Sequence, residues 1–222
     1  MSGIWQSKRG RAVGALALCG AILLQQDRPA SATLAPVKRD DMIAFAKRMA
    51  EYQWTATAAN LHADCVTKYH SHFHENQLVT GVAYDWGGDD DIAAFQAKLN
   101  RGFAAGSHQS EGNTSCTAGI DCSGLVSRAW RQSKRGTAQL SQVADPIVDD
   151  ALTKMKPGDA LNREGHHVVL FESYASDGGI NVYEARGGSD SRVIYSRSQD
   201  WSYFPLNGKN RFVPIRYKNA ID

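Results

Sequence analysis

Asp121-Cys122-Ser123-Gly124-Leu125-Val126 opens the clearest structural pattern in this chain. Apolar side chains continue at helical spacing, at Leu125, Val126, Ala129 and Trp130. The spacing predicts an amphipathic helix that begins at Cys122 and ends near Gly136. A thiol in the first turn of a helix lies beside unpaired backbone N–H groups, which favour its thiolate form. The segment therefore predicts either a reactive cysteine or, as is commoner for a lone cysteine, a buried structural one.

Apolar runs separated by turn residues follow this helix. Residues 155–159 predict a turn, and Asp177-Gly178-Gly179 predicts a hairpin turn. Strands are predicted at 167–174, 180–185, 192–196 and 211–217. Pro214 indicates that the last of these strands lies at a sheet edge. A helix that presents a cysteine, followed by strands joined through hairpins, predicts an α+β domain with a mainly antiparallel sheet.

Residues 1–32 have the composition of a secretory signal peptide. Basic residues precede an apolar run at 12–24, and small residues surround Ala32. The run is shorter than the ~20 residues that a spanning helix needs. We therefore expect export with cleavage near Ala32, no membrane anchor after cleavage, and a final location in a periplasm or outside the cell.

The charge of the exported chain gives no support for a nucleic-acid partner. The full sequence of 222 residues has a net charge of +2, and loss of residues 1–32 would change this to −1. Proteins that bind nucleic acids or anionic membranes through charge need a concentrated basic surface. We therefore expect no nucleic-acid partner.

The exported chain would contain an odd number of cysteines, namely Cys65, Cys116 and Cys122. Disulfides form in oxidising compartments, so at least one of these thiols must be free or intermolecular. We predict a disulfide between Cys65 and Cys116 and a free thiol at Cys122.

A thiol nucleophile needs a base, and the pair His166-His167 stands at the start of an apolar strand. The two side chains should point to opposite faces, but both faces are mostly apolar, so the pattern does not choose between them. A third group should accept the other N–H of the imidazole. Glu184 on the following strand is the first candidate, because a carboxylate among apolar residues needs a partner, and Glu172 is the second.

Two other polar clusters predict ordinary structure. His70, His72 and His74 alternate as zinc ligands can, but no further ligand accompanies them, so we predict a polar loop and no metal site. The acidic run 89–91 predicts the start of a helix at Ile92, and the Gly-, Ser- and Thr-rich residues 105–120 predict an exposed loop. We expect no metal and no cofactor.

Four motifs occur in one order along the chain. They are Tyr84-Asp85-Trp86-Gly87-Gly88, Asp121-Cys122-Ser123-Gly124-Leu125-Val126, Lys156-Pro157-Gly158-Asp159-Ala160-Leu161 and His167-Val168-Val169-Leu170-Phe171. Together they cover most of residues 80–185 and resemble the NlpC-type cell-wall peptidases. The resemblance implies a compact papain-like fold and hydrolysis of amide bonds in peptidoglycan peptides.

The resemblance also assigns roles to individual residues. It implies Cys122 as nucleophile, His167 rather than His166 as base, and Glu184 as the group that orients the base. It implies that the Tyr84 hydroxyl and the Cys122 backbone N–H stabilise the oxyanion. The residues expected to contact the oxyanion or the substrate are Tyr84, Trp86, Asp121 and Ser123.

The chain departs from the family pattern in two places. Residues 89–120 form an insertion between motifs that are usually close together, and Glu184 replaces a more usual histidine or amide residue. We divide the chain into a signal peptide (1–32), an N-terminal helical extension (33–79) and an NlpC-type cysteine hydrolase domain (80–222), and we expect a monomer. Two alternatives stay open: an amidase or acyltransferase with another amide substrate, and a catalytically silent wall-binding module.

Overall fold

The computed structural model describes Met1 and residues 34–148 and 151–222. The predicted signal peptide, apart from Met1, lies outside the described residues. Residues Leu34–Asp222 form one compact unit. In the described part of the chain, no helix is long and apolar enough to cross a membrane.

Short helices and strands alternate along this unit. The helices are α1 (Arg39–Glu51), α2 (Ile92–Asn100), α3 (Cys122–Ala129) and α4 (Ala151–Lys154). The strands are β1 (Val37–Lys38), β2 (Gln53–Thr55), β3 (Leu78–Thr80), β4 (Ala104–Ala105), β5 (Thr117–Ala118), β6 (Ala144–Pro146), β7 (Ala160–Arg163), β8 (His167–Tyr174), β9 (Ile180–Arg186), β10 (Arg192–Gln199), β11 (Val213–Tyr217) and β12 (Ala220–Ile221).

The main sheet has the strand order β10-β9-β8-β7-β11-β6, and every neighbouring pair in it is antiparallel. Strands β8 and β9 begin at His167 and Ile180, as predicted, and the turn between them is closed by an Ala175 N–H bond to the Gly179 carbonyl (2.8 Å). The α+β class with a mainly antiparallel sheet is thereby confirmed.

The prediction that Pro214 marks an edge strand is wrong, because β11 lies between β7 and β6. The Ile147 N–H donates to the Pro214 carbonyl (2.8 Å), so Pro214 presents its carbonyl to the β6 side. Its nitrogen points to the same side, just beyond the last registered pair, Ile215 with Pro146. The proline is tolerated inside the sheet because β6 ends before this position, so no backbone N–H of residue 214 is needed to bond to β6.

Helix α1 and helix α3 pack against each other and cover one face of the sheet. Helix α1 also contacts β9 and β10, and α3 contacts β8 and β9. Met42, Ala46 and Met49 of α1 join Leu125 of α3 in one hydrophobic core. Lys38 is the N-cap residue of α1, and Asp40 and Asp41 lie in the first turn of this helix. They lie at the positive end of the helix dipole.

The insertion, residues 89–120, is folded rather than an exposed loop. Its helix α2 is capped by Asp91, whose Oδ1 accepts from the Ala94 N–H (2.8 Å). Strands β4 and β5 pair in parallel and are buried, and Ser107 is also buried. The Ser107 hydroxyl donates to the buried Asp85 carboxylate (2.6 Å). The predicted exposure of 105–120 is therefore wrong for 105–107 and 117–120, whose small residues allow close packing, whereas the residues between them are partly or fully exposed.

A disulfide joins Cys65 to Cys116, and Cys122 is the free cysteine of the described chain. This is the predicted pairing. The bond ties the loop that follows β2 to the residue before β5, six positions ahead of Cys122.

Candidate active site

Cys122 is the first residue of α3 and is buried, with 6% of its surface exposed. Asp121 precedes it in an extended conformation and caps the helix. The Asp121 Oδ1 accepts from the Gly124 N–H (2.6 Å) and from the Ser123 hydroxyl (2.9 Å). A Cβ on Gly124 would lie 2.6 Å from the Gly88 carbonyl oxygen, so only glycine fits there.

The second carboxylate oxygen of Asp121 ties the helix start to the segment that follows Tyr84. It accepts from the Gly87 N–H (3.1 Å) and pairs with the Lys134 ammonium. Lys134 Nζ also donates to the Gly88 carbonyl (2.8 Å). Asp121, which was predicted to contact the substrate, thus caps the helix that begins at Cys122 with one oxygen and binds Gly87 and Lys134 with the other. No local signal distinguishes Lys134 from other surface lysines, so its part in this cluster was missed.

The structure places His167 and Glu184 beside each other on the adjacent strands β8 and β9. His167 Nε2 lies 3.2 Å from Glu184 Oε2. The His167 side chain is 28% exposed and that of Glu184 is 5% exposed. Glu172, the second sequence candidate, instead accepts from the Tyr195 hydroxyl (3.2 Å).

The Glu184 carboxylate is held from two further directions. Ser196 on β10 donates its hydroxyl to Glu184 Oε1 (2.9 Å), and Arg186 Nε lies 3.9 Å from the same oxygen. Burial raises the pKa of Glu184. The hydrogen bond and charge of His167, followed by Arg186 and Ser196, lower this pKa by more than burial raises it, so the pKa of Glu184 is below its ordinary value. The sequence pattern missed Ser196, because it meets Glu184 only through the pairing of β9 with β10.

Cys122 and His167 also interact through their side chains. Burial lowers the pKa of His167, but hydrogen bonds and charge from Cys122 and Glu184 raise it to about 9. Because Nε2 faces Glu184, Nδ1 is the ring nitrogen available to the Cys122 sulfur. The imidazole therefore retains its proton at neutral pH, between the Cys122 sulfur and the Glu184 carboxylate.

Tyr84 is buried, with 8% of its surface exposed. Its backbone is fixed by a bond from its N–H to the Ser191 carbonyl (2.8 Å) and by one from the Ser107 N–H to its own carbonyl (3.1 Å). Burial and then the charges of Cys122 and Asp121 raise the pKa of Tyr84 above its ordinary range. The phenol therefore stays protonated and can donate a hydrogen bond close to Cys122.

Two cavities of similar size meet the reactive groups. The nucleophile cavity, of about 300 Å³, is lined by Trp86, Cys122 and His166, together with Asp121 and Ser123. The histidine cavity, of about 290 Å³, is lined by Tyr84, His167 and Glu184, with Arg186, Phe204 and Phe212. His166 lies in the turn before β8 and is exposed, so the two neighbouring histidines serve different cavities.

Among the residues that the structure describes, no group of three or more His, Cys, Asp or Glu side chains could hold a metal ion. His72 instead contacts His108, with ring centroids 4.0 Å apart. No protein-family model, curated protein or solved structure matches this chain. The chemistry of the site therefore has to follow from its own residues.

Proposed function

We propose that this chain is a cysteine hydrolase that cleaves amide bonds in peptidoglycan peptides. The observation that carries the proposal is the line of side chains Cys122, His167 and Glu184, with the thiol at a helix start and the imidazole hydrogen-bonded on both sides. A nucleophile, a proton carrier and an orienting carboxylate in this order suit acyl transfer through a thioester.

In the acylation half of the reaction, the proton of the Cys122 thiol lies on His167, and the resulting thiolate attacks the carbonyl carbon of the amide. The electron pair of the C=O bond moves to oxygen, and the Tyr84 hydroxyl donates to this oxyanion together with the Cys122 backbone N–H. The C–N bond then breaks as the His167 imidazolium gives its proton to the leaving nitrogen. The products are a free amine and a thioester on Cys122.

Water completes the reaction. Neutral His167 accepts a proton from a water molecule, whose oxygen attacks the thioester carbon. The C–S bond breaks, the carboxylic acid product leaves, and the thiolate–imidazolium pair is restored. Glu184 holds the ring of His167 in place and stabilises its positive charge at both stages.

The substrate class rests on the resemblance of the four motifs to NlpC-type peptidases, which also supports a papain-like arrangement of α3 on the sheet. The disulfide between Cys65 and Cys116 supports function in an oxidising compartment, and therefore export. We propose that the exported protein acts as a monomer on the peptide part of the cell wall.

The test is digestion of purified peptidoglycan, with the products identified by mass. We expect wild-type protein to release fragments with new amine and carboxyl ends, and Cys122→Ser to lower the rate by more than about 10³-fold. The two neighbouring histidines give a matched pair: His167→Ala should be as inactive as Cys122→Ser, and His166→Ala should keep most of the activity. Full activity of Cys122→Ser would refute the proposal.

A further inference from the structure

A third cavity adjoins the nucleophile cavity and is larger, about 370 Å³. We call it the insertion cavity. Its charged and amide-bearing lining consists of Asp85, Asp89, Asp90, Lys98, Asn113 and Arg128. Trp86, Gly87 and Asn113 line both this cavity and the nucleophile cavity. A chain that lies over Cys122 can therefore continue past Trp86 into the insertion cavity.

The insertion supplies the outer part of this cavity. Lys98 comes from α2, and Asn113 and Thr114 come from the loop that leads to β5. The disulfide at Cys116 anchors this loop, and the Ala104 N–H donates to the Cys116 carbonyl (3.1 Å). The segment that departs from the family pattern is thus a fixed wall beside the nucleophile.

Asn113 occupies the junction between the two cavities. It is exposed, and its side chain lies directly over Gly87, where an added Cβ would meet Asn113 Oδ1 at 1.9 Å. An exposed amide can both donate and accept hydrogen bonds. Asn113 is therefore placed to form hydrogen bonds with the backbone of a peptide that passes from one cavity to the other.

The charges of the insertion cavity favour a positively charged occupant. Lys98 Nζ pairs with Asp90 Oδ1 (2.8 Å), and Arg128 Nε pairs with Asp89 Oδ1 (3.0 Å). The third carboxylate, Asp85, is buried, and this burial raises its pKa, while the uncharged hydroxyls of Ser107 and Thr117 and the charge of Lys98 act in the opposite direction. Asp85 therefore shares Lys98 with Asp90 and has no cation of its own in this cavity. Three carboxylates against two cations leave a negative excess that an ammonium group would balance.

We propose that the insertion cavity is a substrate subsite that binds an ammonium-bearing residue of the peptide, and that Asn113 holds the peptide backbone at its entrance. The proposal rests on the proposed function, because the peptide that fills the subsite is the one cleaved at Cys122. Residues remote from the scissile bond would in this way contribute to its selection.

The test compares soluble peptidoglycan peptides before and after acetylation of their free amino groups. For wild-type protein, we expect acetylation to lower kcat/KM about tenfold, since it removes a charge-assisted contact. Asn113→Ala should lower kcat/KM on the untreated peptides about three- to tenfold. Asp89→Asn should reduce the preference for untreated peptides, because it removes the negative excess. Asn207→Ala changes an exposed asparagine that lines neither cavity and should match wild type.

Each outcome decides a separate point. Equal rates on untreated and acetylated peptides, with Cys122→Ser inactive, would overturn the subsite and leave the hydrolase intact. An undiminished preference in Asp89→Asn would also overturn the subsite, because the amine would then be recognised elsewhere. No cleavage of either peptide set by wild type, or full cleavage by Cys122→Ser, would overturn the proposed function and the subsite together.

Discussion

Replacement of Glu184 by glutamine should change the pH dependence of the hydrolase more than its fold. The Oε2 atom of Glu184 lies 3.2 Å from His167 Nε2, and its Oε1 atom accepts from Ser196 (2.9 Å). Glutamine keeps the size of the side chain and one carbonyl acceptor but removes the negative charge. His167 would therefore keep a hydrogen-bond partner and lose much of the stabilisation of its imidazolium form.

The size of the effect follows from the difference between charged and neutral hydrogen bonds. A bond to a charged group contributes about 1.5–3 kcal/mol and a neutral one about 0.5–1.5 kcal/mol, so the loss is about 1.4 kcal/mol. This loss corresponds to about one pKa unit. The pKa of His167, about 9 in the native protein, should fall to about 8 in Glu184→Gln. Because the protonated ring is the active form, the rate should decline as pH rises through about 9 in wild type and about 8 in the variant.

The assay is kcat/KM for peptide hydrolysis between pH 5 and pH 10 with wild type and Glu184→Gln. Ser196→Ala provides the matched control, because it removes a neutral hydrogen bond to Glu184 and leaves the charge in place. We expect its alkaline limb to move less than that of Glu184→Gln. An alkaline limb at the same pH in wild type and Glu184→Gln would refute the assignment of Glu184 as the partner of His167.

Two further variants test other parts of the structure. Tyr84→Phe should lower kcat about 10²-fold with little change in KM, because the hydroxyl contributes to the oxyanion and not to substrate binding; an unchanged kcat in steady-state assays would remove Tyr84 from the site. The double variant Cys65→Ala/Cys116→Ala opens a loop with a sequence separation of 51 residues and should lower the free energy of unfolding by about 4 kcal/mol. Urea titration measures this loss, and a midpoint equal to that of wild type would contradict it.

The sequence was sufficient to single out Cys122 and Glu184, which the structure places on either side of His167, because each one interrupts a regular pattern. Cys122 opens an amphipathic helix, and Glu184 is a carboxylate inside an apolar strand. Periodicity could not choose between His166 and His167, since both faces of the strand are mostly apolar. In the structure the strand begins one residue later than His166, which leaves His166 in the turn and His167 beside Glu184.

The disulfide between Cys65 and Cys116 was predicted, but several other contacts between distant segments were not. Ser196 contacts Glu184 because β9 pairs with β10. Lys134 lies in the segment after α3 and contacts Asp121, the residue before α3. The composition of 105–120 suggested exposure, but its small residues serve to bring Ser107 close to Asp85. Pro214 was misread because the rule for prolines in sheets depends on the length of the neighbouring strand, which a single sequence does not reveal.

The pairing of β1 with β12 has a consequence for the order of folding. Val37 pairs with Ala220, and α1 packs on β9 and β10, so the first elements of the compact unit depend on segments that are synthesised much later. Closing so long a loop is costly before its contacts form. Helix α1 therefore lacks its full docking surface until β9 and β10 have left the ribosome, and the thiol of Cys122 acquires His167 and Glu184 as partners only after β8 and β9 have been made.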